Sequence, residues 1–281
     1  MKPTNDTVPI VMAFSANDPT GGSGIQADIE TLFSLGCHCS TVVTSVSVQD
    51  TCELKDFRPL STSLVIEQAR AVLEDMPIAA FKVGLIGSVE NVTAIYTILR
   101  DYPHIPIIFH PCLKDGGQHN QISVEFINAI TSLLFPITTI LIADSISAYQ
   151  LVPGADTTHA CANKLQEYGS KFVFITGVHE TTPVIYNILY QGQELVKTFK
   201  WERLPAQYYG CGCTLSASVA GFIARGLAPI EAIQAGQGYT WKCLKQGHRL
   251  GMGSTSPNRS SWLEKKSLEL GSLETFIKKD E

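Results

Sequence analysis

Two cysteines alternate with two glycines in YYGCGCTLSASVAG, residues 208–221, and a run of small residues typical of a helix follows them. Gly210 and Gly212 allow the backbone to turn its N–H groups toward one point, and a helix N-terminus adds positive charge there. This pattern predicts a cradle for an anion such as phosphate. A helix N-terminus also favours the thiolate form of a cysteine, so Cys213 is a candidate base or nucleophile. An ordinary helix start with two small buried thiols fits the same spacing, which leaves both interpretations open.

A second glycine-rich segment, SANDPTGGSGIQAD, spans residues 15–28. It follows a predicted strand over residues 8–14 and opens a predicted helix over residues 24–36, so its glycines allow the backbone to approach a ligand closely. The segment does not match G-x-G-x-x-G, and it lacks the lysine of a P-loop. A plain strand-to-helix loop is the alternative interpretation.

Strand-like and helix-like segments alternate along most of the chain. This alternation predicts one α/β domain over residues 1–281, with a mainly parallel sheet covered by helices on both faces. VIYNILY and ELVKTFKW, joined by QGQ, predict a late β-hairpin. A long helix over residues 214–225 and another beginning at Pro229 follow, and the tail from about residue 260 is predicted to be peripheral. Ligands of such sheets bind beyond the carboxyl ends of the strands, where both glycine-rich segments fall.

Composition narrows the possible functions. The 281 residues are 44% hydrophobic and carry a net charge of −5, which supports a large core and argues against a surface that binds nucleic acid. The sequence shows no apolar run of transmembrane length and no signal-peptide pattern, so we expect a cytoplasmic protein without a membrane partner. Its eight cysteines are then expected to be reduced. The C-x-C pairs Cys37/Cys39 and Cys211/Cys213 lack the usual zinc-site spacing, which favours separate thiols.

Both glycine-rich segments resemble blocks of a known family. SANDPTGGSGIQADIETLFSLGCHCSTVVTSVSVQDT is similar to the pattern A-G-S-D-x-S-G-G-A-G-I-Q-A-D-L-K-T with its second block A-[QE]-N-T, and YGCGCTLSASVAG is similar to H-G-T-G-C-T-L-S-A-A-I-A. These patterns belong to the hydroxymethylpyrimidine and phosphomethylpyrimidine kinases of the ribokinase-like superfamily. The resemblance implies a three-layer α/β/α sandwich with a mainly parallel central sheet and a late β-hairpin. It covers about residues 8–260 in topology and is strong in these blocks.

The resemblance implies an enzyme of thiamine biosynthesis that uses ATP and Mg²⁺. Such kinases transfer the γ-phosphoryl group of ATP to 4-amino-5-hydroxymethyl-2-methylpyrimidine and then phosphorylate the monophosphate. By matching position, Cys213 is the implied general base, and the backbone N–H groups of Gly210, Cys211, Gly212 and Cys213 form the implied phosphoryl cradle. The positions implied to bind the pyrimidine are Gly22, Asp28, Gln49 and Leu85.

The nucleotide side departs from the family pattern. The replacements are His110 for an aspartate, Ser145 for an asparagine, Ala148 for a magnesium-organising glutamate, Thr176 for a lysine and, in the cradle block, Tyr209 for a histidine. The positions that the resemblance still implies for the nucleotide are Ser145, Thr176, Gly177 and Gly253. Asp144, adjacent to the asparagine position, is the candidate magnesium ligand.

Three functions remain open at this point. The first is an active pyrimidine kinase, the second a catalytically impaired relative that binds the pyrimidine as a sensor, carrier or regulatory subunit, and the third a pyridoxal-type kinase. Binding of MgATP discriminates the kinases from the binding protein, because a binding protein holds the pyrimidine and ignores the nucleotide. The resemblance also implies a homodimer.

Overall fold

The computed structural model describes residues 8–113, 123–178 and 182–261. In these residues the strands are β1 (Ile10–Asn17), β2 (His38–Gln49), β3 (Leu54–Pro59), β4 (Ile78–Val83), β5 (Ile107–Phe109), β6 (Ile140–Asp144), β7 (Phe172–Val178), β8 (Val184–Gln191) and β9 (Glu194–Glu202). They form one sheet in the order β3-β2-β1-β4-β5-β6-β7-β8-β9. The pairs from β2 to β7 are parallel, whereas β3 and the β8–β9 hairpin pair antiparallel.

Helices cover both faces of this sheet. They are α1 (Gly24–Ser34), α2 (Thr62–Leu73), α3 (Val89–Leu99), α4 (Val124–Ala129), α5 (Ser145–Leu151), α6 (Thr158–Glu167), α7 (Cys211–Ala224) and α8 (Pro229–Lys245). One core contains residues of α2, α3, α5 and α6, and the other contains residues of α1, α7 and α8. The predicted three-layer α/β/α sandwich and its late hairpin are therefore confirmed. Among the described residues, no helix is long and apolar enough to cross a membrane.

Strand β1 illustrates why the central strands form. Its sequence IVMAFSAN is apolar at almost every position, as expected for a strand with helices on both sides. Val11 belongs to the core on the α1 and α7 face, whereas Met12 and Phe14 belong to the core on the α2 and α3 face. Parallel pairing with β2 and β4 then fixes both edges of the strand, so the loop after it starts from a rigid base.

Helix α7 packs across the centre of one face of the sheet. Ala217 and Ala220 have no exposed surface, and their small side chains allow the helix to lie close to β1, β4 and β5. Ser216 and Ser218 are also fully buried, and their hydroxyls donate to helix carbonyls at 2.8 Å. Polar side chains satisfied within the helix carry little burial cost. The helix is thus held firmly, with its N-terminus at the carboxyl edge of the sheet.

One strand and one helix were not predicted from the sequence. These are β3, which is a half-exposed edge strand, and the seven-residue α5. Helix α7 begins at Cys211 rather than at residue 214, because Gly210 takes the left-handed conformation that turns the chain into the helix. Asn258 and Arg259, just ahead of the predicted peripheral tail, are buried in the protein. The tail itself, from residue 262 onward, lies outside the described residues.

The strand order reverses between β1 and β4. Loops after neighbouring strands diverge at such a point and leave a crevice, which is where ligands bind in open α/β sheets. The loop after β1 and the residue after β5 both touch the first turn of α7 at this edge. The fold therefore brings the two glycine-rich segments together.

Candidate active site

The N-terminus of α7 is built to present backbone N–H groups. Gly210 is its N-cap with a φ of +81°, a conformation that strains any other residue. A side chain at Gly210 would also collide with the carbonyl oxygen of Gly22, so the two glycine-rich segments are in direct contact. Cys211, Gly212 and Cys213 are then the first helical residues, and their N–H groups have no acceptor inside an α-helix. These groups and the helix dipole favour a bound anion at this point.

The two cysteines of this segment have different surroundings. Cys213 is 8% exposed and is the third residue of α7. Cys211 is half-buried and lies within electrostatic range of Tyr208. Lys82 of β4 lies within electrostatic range of Cys213 from the sheet side. Cys213 is therefore the thiol of this segment that lies in the first turn of α7 and within electrostatic range of a buried positive charge.

His110 follows β5 and lies against the start of α7. Its Nε2 and Cε1 atoms occupy the space into which a side chain at residue 212 would project, so Gly212 is required by the ring itself. The imidazole is half-buried. His110, at the carboxyl end of β5, therefore lies with a ring nitrogen against the first turn of α7.

Asp18 organises the loop between β1 and α1. Its Oδ1 accepts hydrogen bonds from the backbone N–H and the hydroxyl of Thr20, and its Oδ2 accepts from the N–H and the hydroxyl of Ser23, all at 2.8 Å. Gly24 begins α1 with a φ of +60°, and a side chain at this position would collide with the carbonyl oxygen of Ala16. These internal bonds give the loop one defined shape independent of a ligand.

Tyr209 connects this loop to the end of β2. Its hydroxyl oxygen lies 3.3 Å from Ser23 Oγ and 3.4 Å from Gln49 Nε2, and its ring lies beside Gly22. Burial raises the pKa of Tyr209, so the phenol is neutral near pH 7 and acts through hydrogen bonds. Leu85 is half-buried in the loop after β4, at the same edge. The structure thus brings Gly22 and Gln49 together around Tyr209.

Arg259 ties the loop after β1 to α7, although its sequence context gave no signal. Its side chain is 1% exposed. The guanidinium donates from Nε to Thr214 Oγ1 at 2.9 Å, from Nη1 to the Gly21 carbonyl at 3.2 Å and to Glu30 at 2.9 Å, and from Nη2 to the Gly22 carbonyl. The fixed fork of an arginine suits several acceptors at once. Arg259 therefore acts as a positioning residue that sets the distance between the two glycine-rich segments.

Asp28 lies beneath the candidate site. Its Oδ2 is 2.8 Å from Lys82 Nζ, and neither side chain has any exposed surface. The predicted direct contact between Asp28 and a ligand is therefore not available in this structure. Burial raises the pKa of Asp28, against the opposing effect of Lys82. Burial alone would lower the pKa of Lys82, but the Asp28 carboxylate raises it, so the ammonium group stays charged.

Four predicted nucleotide and metal residues meet at the ends of β6 and β7. Asp144 caps α5, and its carboxylate accepts from the N–H of Ser147 at 2.8 Å and from the hydroxyl at 3.0 Å. Ser145 Oγ donates to the carbonyl of Gly177 at 3.2 Å, and Gly177 has a φ of +73°. Thr176 pairs with Asp144 across the two strands. The structure therefore groups Asp144, Ser145, Thr176 and Gly177 at the carboxyl ends of β6 and β7.

Gly253 does not belong to that group. Its N–H donates to Thr51 Oγ1 at 3.1 Å, and the next N–H along the chain donates to the Thr51 carbonyl at 2.9 Å. Thr51 follows β2, which is separated from β6 in the sheet by β1, β4 and β5. Gly253 therefore lies at the β2–β3 turn, apart from Ser145, Thr176 and Gly177, because the chain after α8 returns there.

In the described part of the chain, no group of three or more His, Cys, Asp or Glu side chains is placed to hold a metal ion. Of the C-x-C pair near α1, Cys37 is buried with its thiol 3.6 Å from the Gly221 carbonyl.

A model of the phosphomethylpyrimidine kinase family matches residues 18–258. That match includes most of the loop after β1, the whole of α7 and the returning segment before Arg259. The chain belongs to the phosphomethylpyrimidine kinase family. Membership agrees with the resemblance of the two glycine-rich segments.

The chain is similar to other proteins in both sequence and fold. It is 28% identical over 260 residues to a hydroxymethylpyrimidine/phosphomethylpyrimidine kinase of Mycobacterium bovis, which covers 90% of this chain and 94% of the relative. It is 27% identical over 248 residues to the thiamine biosynthesis bifunctional protein ThiED of Geobacter sulfurreducens, covering 86% of this chain and 50% of that protein. Its fold matches an ADP complex of Bacillus subtilis pyridoxal kinase with a TM-score of 0.82 at 21% identity, over 92% and 100% of the two chains. The ribokinase-like fold is thus confirmed.

The residues at which the sequence departs from the resembled family pattern have different surroundings in the structure. Ala148 is 1% exposed and packs in the core with Leu151, so this position faces the interior of the sandwich. Ser145 and Thr176 lie at the carboxyl edge with short neutral side chains. His110 lies at the start of α7. Ser145 and Thr176 therefore lie on the β6–β7 half of the edge, whereas Tyr209, the replacement in the cradle block, contacts Gln49 and the loop after β1.

Proposed function

We propose that this protein is an ATP-dependent kinase of 4-amino-5-hydroxymethyl-2-methylpyrimidine and its monophosphate in thiamine biosynthesis. The observation that supports the proposal is the contact between Gly210 and Gly22, because it brings the N-terminus of α7 and the loop after β1 together at one edge of the sheet. Family membership supports the same activity. So do the names of the Mycobacterium and Geobacter relatives.

In the proposed reaction, Cys213 accepts the proton of the substrate hydroxyl. The hydroxyl oxygen forms a bond to the γ-phosphorus of ATP while the bond from that phosphorus to its bridging oxygen breaks, and ADP leaves with the electron pair. The N–H groups at the start of α7 hold the transferring phosphoryl oxygens. Phosphoryl transfer requires mainly positioning and charge stabilisation, and a helix N-terminus supplies both. The thiol then releases its proton to solvent.

The proposed pyrimidine site is the group formed by Gly22, Gln49, Leu85 and Tyr209. An aminopyrimidine has hydrogen-bond donors and acceptors on one edge, and an amide and a phenol can each act as either. Gly22 allows close approach of the ring, and Leu85 offers an apolar contact. We assign Asp28 an indirect role. Its carboxylate pairs with Lys82, and Lys82 lies within electrostatic range of Cys213.

ATP is proposed to enter as its magnesium complex, so the metal is treated as part of the substrate. The edge formed by Ser145, Thr176 and Gly177 is the proposed site of the nucleotide phosphates. Asp144 is the proposed magnesium ligand. Its carboxylate accepts two hydrogen bonds from Ser147 but offers about four lone-pair sites, so it can also bind a metal.

The replacement Asp144→Asn should raise the Mg²⁺ concentration needed for half-maximal activity by several-fold. Asparagine caps a helix about as well as aspartate, so the melting temperature should stay near that of the wild type. Asp144→Ala is the matched control, because it removes the cap as well and should cost about 1 kcal/mol of stability. Magnesium titrations of the phosphorylation rate measure the effect, and an unchanged requirement in Asp144→Asn would exclude Asp144 as a ligand.

Mass spectrometry of the products tests the proposed function directly. The purified protein is incubated with MgATP and either the hydroxymethylpyrimidine or pyridoxal. Formation of the pyrimidine monophosphate and diphosphate is the expected result. No product, with the pyrimidine still bound, would instead identify a binding protein. Product from pyridoxal alone would identify a pyridoxal-type kinase.

We also propose that the protein acts as a homodimer in the cytoplasm, as the family resemblance implies. Light scattering on the purified protein tests the assembly. A mass near 30.6 kDa, that of one chain, would rule out the dimer. Cell fractionation tests the location.

A further inference from the structure

We propose that His110 donates a hydrogen bond from its imidazole to the γ-phosphoryl group of the nucleotide, beside the N–H groups of α7. The inference rests on the proposed function, which assigns a phosphate to this edge of the sheet. It goes further by giving a direct role to a side chain for which the family resemblance implies an aspartate instead.

The position of the ring carries this inference. The Nε2 and Cε1 atoms of His110 fill the space in which a side chain at Gly212 would lie. Gly212 is the second residue of α7, so this edge of the ring is beside the N–H groups at the open end of the helix. A phosphoryl group that those N–H groups hold is then within reach of an imidazole N–H. Hydrogen bonds to a charged phosphate are among the stronger ones that proteins form.

Two cationic side chains described near this helix end are held by protein partners. Lys82 is buried in its ion pair with Asp28. Arg259 uses its guanidinium on Thr214, Glu30 and two carbonyls of the loop after β1. Neither group can turn to a phosphate without breaking those bonds. Lys82 and Arg259 are therefore committed to the fold, and the donor that we assign to the phosphate is the imidazole N–H of His110 beside Gly212.

A phosphate held partly by His110 has a measurable signature. Without Mg²⁺, only protein donors offset the negative charge of a bound triphosphate, so the loss of one donor has its full effect there. With Mg²⁺ present, the metal offsets part of that charge and the same loss matters less. A residue that only packs against Gly212 would weaken both forms of the nucleotide equally.

Calorimetric titration with the non-hydrolysable analogue AMP-PCP, in EDTA and in Mg²⁺, tests the inference. His110→Ala should weaken metal-free binding about tenfold, in line with the loss of one hydrogen bond to a charged group, and should weaken magnesium-bound binding less. His110→Gln keeps an N–H donor and should recover part of the loss. His104→Ala is the matched control, because His104 is exposed near the opposite end of β5 and should bind as the wild type does.

Two results would overturn the inference. One is metal-free AMP-PCP binding by His110→Ala that equals that of the wild type, or a loss that is the same with and without Mg²⁺. The other is a wild-type protein that does not bind the metal-free analogue. Because binding is measured without turnover, a protein that forms no phosphorylated pyrimidine still reports on His110. Affinity for the pyrimidine, measured for His110→Ala in the same way, identifies a variant that has lost its fold.

Discussion

Cys213→Ala is expected to slow pyrimidine phosphorylation by about a hundred- to ten-thousand-fold, the contribution that a positioned general base typically makes. The loss should fall on kcat rather than on KM, because the thiol accepts its proton in the transition state. Alanine is the residue with the highest helix propensity, and it fits at the third position of α7, so the fold should survive. Steady-state product assays together with a thermal melt measure both properties.

Two further substitutions make this experiment selective. Cys211→Ala removes the neighbouring thiol but keeps its backbone N–H, so this variant should retain most of the wild-type rate. Cys213→Ser keeps the size of the side chain but replaces the thiol with a hydroxyl that does not ionise near pH 7, so it should be nearly as slow as Cys213→Ala. If Cys213→Ala retains more than a tenth of the wild-type rate, another group or water accepts the proton.

The helix start that forms the proposed anion cradle could be predicted from sequence because its determinants are local. Gly210, Cys211, Gly212 and Cys213 are consecutive, and their effect comes from backbone conformation and the helix that follows. The alternation of strands and helices gave the sandwich for a similar reason, since each element carries its own pattern. The start of α7 was misplaced by three residues because a left-handed N-cap at Gly210 is not visible in hydrophobic spacing.

Long-range contacts explain what the sequence did not reveal. Arg259 lies in a polar run that looks like exposed tail, yet it bonds to Gly21 and Gly22, more than 230 positions away. Lys82 sits within an otherwise apolar strand, and its partner Asp28 is 54 positions earlier in the chain. Gly253 was assigned to the nucleotide from a short glycine turn, although its surroundings are set by Thr51. None of these partners can be identified without knowing how the elements pack.

Lys82→Met and Asp28→Leu, made singly, are each expected to lower the free energy of unfolding by about 3–5 kcal/mol. Each substitution leaves a charge without its partner in a place with no exposed surface, where water cannot solvate it. Denaturant titration measures the loss, with the exposed ion pair of Lys55 and Asp50 as the matched control. Lys55→Met should change stability by less than about 1 kcal/mol, because solvent screens that pair.

The double variant Asp28→Leu with Lys82→Met separates the stability of this pair from its proposed role in catalysis. Replacing a buried ion pair with apolar side chains of similar volume is often neutral or stabilising, so the double variant should be more stable than either single one. Its phosphorylation rate should nevertheless be lower than that of the wild type, because the positive charge within electrostatic range of Cys213 is gone. A double variant that is stable and fully active would show that the pair only supports the fold. A double variant no more stable than the single ones would show that the two charges do not act as a pair.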